Sequence, residues 1–462
     1  MFRVSLLSAL AMFGTTLVSA QSLIEHYKPT ADKLIDAALA DREGYERLTH
    51  LCYRIGNRLS GSPSLQRAIE WSADQMKAAG LSNVRIIPVK VPHWVRGAES
   101  ARIVAPVERP LHMLGIGMSI GTPAGGITAE IVVVSTLEEL ASLGREKIQG
   151  KIVVYNYEFR SYFSGRSFRS SGPSRAASYG AVAALVRSAT GLAVQVPHTG
   201  ELTYEESQPK IPAAAISPED AAMLARLAAD GPVKVHLEMG ARMEPDTESG
   251  DVIGEISGRT HPEEVVVMGG HIDSWDVGQG AQDDGASVIA CLQALAIMKK
   301  LGLQPARTIR VAFWTNEENG ARGGEAYRNF VGDQIRNHVA AIEMDGGAEA
   351  PAGFGAGVDQ KSQDLLKQIG RLLDRVGATA VTPGGGGTDI QPLLRDGVPG
   401  LSERTSGVHY FDWHHSEADT LDKVNPEEFR KNVAALAVMG YVIADMPERL
   451  IAAATGGRAA RQ

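Results

Sequence analysis

The stretch GGHIDSWDVGQGAQDDGAS, Gly269 to Ser287, follows the apolar run Val265-Val266-Val267-Met268 and carries a histidine, four aspartates and five glycines. Three later stretches have the same makeup. FWTNEENG brings Glu317 and Glu318, AIEMDGG brings Asp345, and VHYFDWHHSEADT brings His409, His414, His415 and Asp419. Singly, each reads as an acidic turn, a helix start or a structural histidine. Together on one rim, so many carboxylates would repel one another and raise each other's pKa unless a cation compensates them. A pair of divalent ions sharing one bridging carboxylate, each with one histidine and one further acid, uses two histidines and three acids. Mixed nitrogen and oxygen ligation suits zinc, with cobalt or manganese fitting the same donors. One glutamate is left over to move protons.

The elements that must position these residues follow from periodicity. From Asp251 onward, apolar strands (EVVVMGG, TIRVAFWT, VAAIEMD) alternate with helices (ASVIACLQALAIMKKLGL, Glu325 to Val331, SQDLLKQIGRLLDRVG). Near-continuous apolar strands alternating with helices predict an α/β fold, its central sheet mostly parallel and sandwiched by helices. In such sheets ligands bind beyond the carboxyl ends of the strands, and all four stretches lie there. Upstream, Leu23 to Leu59 reads helical. SPSLQRAIEWSADQMKAAG reads as a helix with Ser62 as N-cap, Pro63 at its first position and Gly80 as its stop, and NVRIIPVKVPHW reads as a strand. Residues 116–245 change texture to short Val/Ile/Ala strands between Gly, Ser and Pro turns, an expected insertion.

The chain has 462 residues, a formal charge of -8, 44% hydrophobic and 22% charged residues. That length predicts more than one domain, and the charge gives no basic field for nucleic acid or anionic lipid. The expected division is a signal peptide over 1–20, an N-terminal part of the catalytic domain over 21–115, the insertion over 116–245 and the catalytic domain over 246–462. Residues 1–20 pair Arg3 with an apolar stretch and a small-residue site before Gln21, which predicts export and a secreted or periplasmic protein. No later segment has the ~20 apolar residues of a membrane span. The two cysteines, Cys52 and Cys291, cannot form a structural zinc site alone, so any metal relies on His, Asp and Glu.

GGHIDSWDVGQGAQDDGAS, NEENG, EMDGG and HHSEADT, in this order, resemble the signature of the di-zinc aminopeptidase and glutamate carboxypeptidase family, and the likeness runs over nearly the whole chain after residue 20. IQGKIVVYNY and IPAAAISPEDAAMLARL, within the insertion, resemble a protease-associated domain. The family resemblance implies that His271 and Asp345 ligate one zinc, that Glu318 and His415 ligate the other, and that Asp283 bridges them. It makes Glu317 the general base and acid, and gives Asp273 the task of holding the second nitrogen of His271. His414 stands where many relatives have a tyrosine, so His414 or Tyr410 is expected to stabilise the oxyanion. Asp389, in TPGGGGTDIQPL, matches a position near the substrate pocket; that loop lacks the Gly-Lys-Ser/Thr of a phosphate loop. Asp276 and Asp284 receive no role, and His50, His93 and His112 read as structural or surface residues. The expected function is a secreted exopeptidase cleaving short peptides, a dipeptidase, by metal-activated water. An aminopeptidase acting on longer peptides, a receptor-like binder and an amide-cyclising transferase are the competing readings. A homodimer is implied by resemblance alone.

Overall fold

The computed structural model describes residues 8–454, with side chains described from Leu23. The segment expected as a signal peptide therefore lies outside the described side chains. Among the described residues no helix is long and apolar enough to cross a membrane.

Two eight-stranded sheets organise the described residues. The first runs in the order Ser82–Val95, Arg242–Ile256, Arg307–Trp314, His261–His271, His338–Glu343, Gly400–Thr405, Pro351–Gly357, Ala380–Pro383. Its middle is parallel: His261–His271 pairs in parallel with Arg307–Trp314 and with His338–Glu343, which pairs in parallel with Gly400–Thr405. The flanks are antiparallel at Ser82–Val95, Arg242–Ile256 and Pro351–Gly357. The sheet is mixed α/β, parallel where the site lies.

Helices cover both faces. Helix Ala286–Lys300 is buried from Ala286 through Met298, which is why its sequence is apolar all round rather than on one stripe. It packs with Pro426–Asp445 against the sheet and shares one core with Leu34, Leu48, Phe313 and Phe429. Helix Arg322–Val331 covers the opposite face, where Trp314 and Tyr327 meet edge to face. Helix Pro63–Ala78 begins as expected: Ser62 Oγ accepts from the Leu65 amide, Pro63 holds the first helical position, and Gly80 takes φ +74° just past the end.

The second sheet runs Arg109–Leu111, Glu99–Ala105, Lys234–Met239, Ile127–Val134, Ile152–Tyr155, Ala183–Arg187, Ala213–Ile216, Met113–Gly115. It begins earlier than the expected boundary at 116. Two strands before that point, Glu99–Ala105 and Met113–Gly115, pair with strands about a hundred residues or more later, a long-range pairing that local composition does not announce. It also carries helices, among them Tyr162–Ser170 and Pro218–Asp230, so it is less purely β than expected.

Trp94 and Trp275 join the two units, their rings edge to face at 6.5 Å within the core of the second sheet. Arg96 adds a polar tie: it donates to Asp276 at 2.5 and 2.8 Å and to the Gly115 carbonyl. Asp276, unassigned from sequence, is thus a joint between the units. Cys52 and Cys291 are buried free thiols.

Candidate active site

Three strand ends and the end of one short helix deliver the expected residues to one place. His271 closes strand His261–His271, Glu317 and Glu318 follow Arg307–Trp314, Asp345 follows His338–Glu343, and His414 and His415 follow the short helix Tyr410–Trp413. Asp283 lies in the turn before helix Ala286–Lys300. His271 Nε2 is 3.2 Å from Asp283 Oδ1 and 3.6 Å from Asp345 Oδ1. His415 Nε2 is 3.3 Å from Asp283 Oδ2 and 2.9 Å from Glu318 Oε2. Asp283 thus faces one histidine with each oxygen.

These distances test the fit to metal. Two donors about 2.0–2.1 Å from one tetrahedral ion lie roughly 3.3 Å apart, close to the separations around Asp283. His271, Asp283 and Asp345 bring ligand atoms within 4.8 Å of one another, as do Asp283, His414 and His415. Asp283 Oδ2 and Glu318 Oε1 are buried without a hydrogen-bond partner, a cost that an ion would remove. The donor set around Asp283 fits metal ligation.

The charges are contested in the protein alone. Burial pushes the Glu318 carboxyl up to about 8, with the Asp283 charge adding to it, and burial brings Asp345 to about 6. Burial also disfavours a charged His271, but the Asp283 and Asp345 carboxylates outweigh it and hold the imidazolium well above its ordinary range. Burial and the neighbouring His415 keep His414 well below its ordinary range. The two histidine rings stack at 3.5 Å, and His414 Nε2 lies 3.4 Å from Asp283 Oδ2.

The site opens into a cavity of about 480 Å³. Glu317, Glu318, Asp345, Tyr410, His414 and His415 all line it. The Glu317 side chain makes no hydrogen bond or ion pair among the described residues, while its backbone amide donates to Asp273 Oδ1 at 3.1 Å. Tyr410 donates to Asp345 Oδ1 at 3.5 Å.

Two expected placements change. Asp273 meets His271 Nδ1 through its backbone carbonyl at 3.1 Å, with the nearer carboxylate oxygen at 3.8 Å. The carboxylate instead accepts the amides of Glu317 and Glu318, so it sets the turn that carries both glutamates. Asp389 does not line the cavity. Its buried oxygens have no partner, and burial and the nearby Glu343 raise its pKa well above the usual range. Thr388 lines the wall in its place. A Cβ at Gly387 would fall 2.0 Å from the Glu343 carboxyl, so this glycine serves close packing against that buried acid.

Several positioning groups escaped the sequence reading. Asp419 accepts the Gln282 and Asp283 amides at 2.7 and 3.1 Å, which fixes the backbone of the shared ligand. Asp284 accepts the His271 amide at 3.0 Å. Arg58, fully buried, donates to the carbonyls of Ile272, Gly56, Gln279 and Gly280 at 2.7 to 2.9 Å and so staples the loop between His271 and Asp283. From the second sheet unit, the Thr199 carbonyl faces His415 Nδ1 at 3.3 Å, and the Thr199 amide donates to the His415 carbonyl at 2.8 Å. His415 sits at φ +60°, a left-handed conformation held by these neighbours.

Residues 251–439 match the model of peptidase family M28. Carboxypeptidase Q of Bos taurus is 41% identical over 431 residues, covering 92% of this chain and 91% of the relative. The chain belongs to peptidase family M28. Carboxypeptidase Q of Homo sapiens is likewise 41% identical, covering 89% of this chain and 87% of that one. The solved structure of a peptidase M28 precursor from Shewanella amazonensis SB2B is 35% identical, with a TM-score of 0.90 over 93% of this chain and 99% of its own. With the family shown and these relatives matched along nearly their whole length, the M28 chain is a metallo-exopeptidase, a hydrolase of peptide bonds.

Proposed function

We propose that the chain is an exported di-zinc dipeptidase, cleaving the single peptide bond of short substrates with both termini free. The observation that carries this reading is Asp283, which faces His271 with one oxygen and His415 with the other at the floor of a cavity of about 480 Å³. His271 and Asp345 would hold one ion, Glu318 and His415 the other, and Asp283 both; cobalt or manganese suits the same donors. Bound there, the metal pair would supply Lewis acidity toward water and the scissile carbonyl.

The chain's own groups do the rest. Glu317, with no partner in the cavity, takes the proton of the attacking water and hands it to the leaving amine. Asp273 holds the Glu317 and Glu318 amides, so the two side chains diverge, one to the substrate and one to the metal. Neutral His414 or the Tyr410 hydroxyl donates to the developing oxyanion. The second sheet unit, taken as a protease-associated domain, walls the cavity, and the working form is a homodimer. The presence of all five proposed ligands and Glu317 around one cavity supports an enzyme over a receptor-like binder.

The test is mass spectrometry of products from the zinc-loaded protein given a free dipeptide, the matching tripeptide and versions blocked at either end, with and without chelator. Chelator-sensitive cleavage of the free dipeptide, lost on blocking either end, is the expected result. Stepwise trimming of the tripeptide from its N-terminus despite a blocked C-terminus would move the assignment to aminopeptidase.

A further inference from the structure

His414 and His415 are the two central residues of a turn. His414 has φ -46° and ψ 128°, and His415 has φ +60°. A type II turn has about -60° and +120° at its first central residue and a positive φ at its second, and the pair matches that form. Glycine or asparagine usually fills the second place, so a histidine there is held against its own preference. The alternative, a type I turn, differs by a half-rotation of the central peptide, with ψ about -30° at the first residue and φ about -90° at the second. Such a rotation re-aims the second side chain while the flanking chain stays in place.

The His414 carbonyl belongs to that central peptide. His198, carried by the second sheet unit and 4% exposed, places Nδ1 2.7 Å from its oxygen. A carbonyl only accepts, so Nδ1 carries the proton and donates. The residue is anchored from behind: the His198 amide donates to Ser188 Oγ at 2.8 Å, and Ser188 Oγ donates to the Ile216 carbonyl at 2.8 Å. The other bonds on the turn do not read the central peptide. Ser416 Oγ donates to the Trp413 carbonyl at 2.7 Å, and the Thr199 bonds reach the His415 ring and the His415 carbonyl. We propose that His198 is a positioning residue that latches the His414–His415 peptide in its type II orientation and so aims His415 at Asp283 and Glu318. A released peptide takes His415 out of the left-handed region and draws its Nε2 away from Asp283 Oδ2 and Glu318 Oε2, now at 3.3 and 2.9 Å. This assignment rests on the di-zinc reading and adds to it a selective control: the ion of His415 and Glu318 needs the latch, and the ion of His271 and Asp345 does not.

The experiment compares the full-length parent with His198→Asn and His198→Leu. The two replacements are close in shape, but only the asparagine amide can donate to the His414 carbonyl. Zinc affinity is read by titration against a competing chelator, and stoichiometry by elemental analysis. The parent is expected to take two ions. In His198→Leu the affinity for one of them should fall about 10- to 100-fold, the usual size of losing an outer partner of a metal ligand, with the other unchanged. His198→Asn should match the parent at both. A crystal structure of zinc-free His198→Leu should show His415 at negative φ. Ser188→Ala keeps the ring and frees only its backbone, so it should give a smaller loss at the same ion. It carries the test if His198→Leu does not fold, and parent-like affinity there overturns the assignment. A two-ion parent whose His198→Leu variant binds both ions as tightly, or whose His198→Asn variant loses as much as His198→Leu, overturns this assignment alone. A parent that takes a single ion overturns the di-zinc reading and the assignment with it.

Discussion

At the scale of single residues, the site separates groups that hold charge from groups that move it. Glu318 is buried against His415, whereas Glu317, its neighbour in sequence, is only half-buried and free of partners in the cavity. This difference supports the proton-transfer role proposed for Glu317, since a base needs an uncommitted oxygen. Glu317→Gln is expected to lower kcat by about 10²- to 10⁴-fold, the usual span for such a base. The variant should keep the metal content and melting temperature of the parent. Steady-state kinetics with elemental analysis of the same samples decides it: a fall in bound metal would make Glu317 a ligand, and unchanged kcat would remove it from the mechanism.

At the scale of elements, the strands bring the ligands to one rim and buried polar groups fix the connecting loops. Arg58 joins the segment after helix Glu43–His50 to the loop between His271 and Asp283 through three backbone carbonyls of that loop, and holds a fourth, that of Gly56, in its own segment. Arg58→Met keeps much of the volume but leaves those carbonyls unpaired, so a loss of about 3–5 kcal/mol is expected by denaturant titration, with weaker metal retention on dialysis. On the other side of the sheet, His338 begins strand His338–Glu343. Its Nε2 lies 2.9 Å from the Tyr327 hydroxyl, and its Nδ1 lies 3.4 Å from the Gln334 carbonyl. Burial, then the Arg310 and Arg328 charges, bring its pKa from 6.5 down to about 4 against the Gln334 contact. The unfolded chain therefore takes this proton first, so stability is whole above pH 6.5 and falls as pH drops toward 4. His338→Gln removes that slope. Denaturation midpoints at pH 7, 5.5 and 4.5 should fall less steeply in the variant, the gap growing to at most about 3 kcal/mol; parallel slopes would place the acid sensitivity elsewhere.

At the scale of the whole molecule, what the sequence discloses and what it hides divide by distance along the chain. His271, Glu318 and Asp345, proposed as ligands, were legible because each closes or follows an apolar strand, and the parallel middle of the sheet turns strand ends into a shared rim. Asp283 and His415 lie beside helices and were legible only through the motifs around them. Arg58 and the Thr199 carbonyl were not, because their partners lie more than 200 residues away or are backbone atoms with no signature of residue type. The start of the second sheet at Glu99 was hidden for the same reason. Those long-range ties make the metal centre a junction: the His415 loop is held by the second sheet unit, and the His271 and Asp283 loop by Arg58. Metal binding should therefore stabilise both units together rather than one loop. With free zinc about a thousandfold above its dissociation constant, linkage gives roughly 4 kcal/mol. For a chain of this size that corresponds to a melting temperature about 4 °C above the chelated protein. Calorimetry of the full chain with and without chelator should show one transition moving as a unit. Hydrogen exchange should slow on zinc loading in residues 198–199 as well as in 271–285. A second sheet unit whose exchange and melting ignore the metal would mean that its ties to His415 do not couple it to the centre.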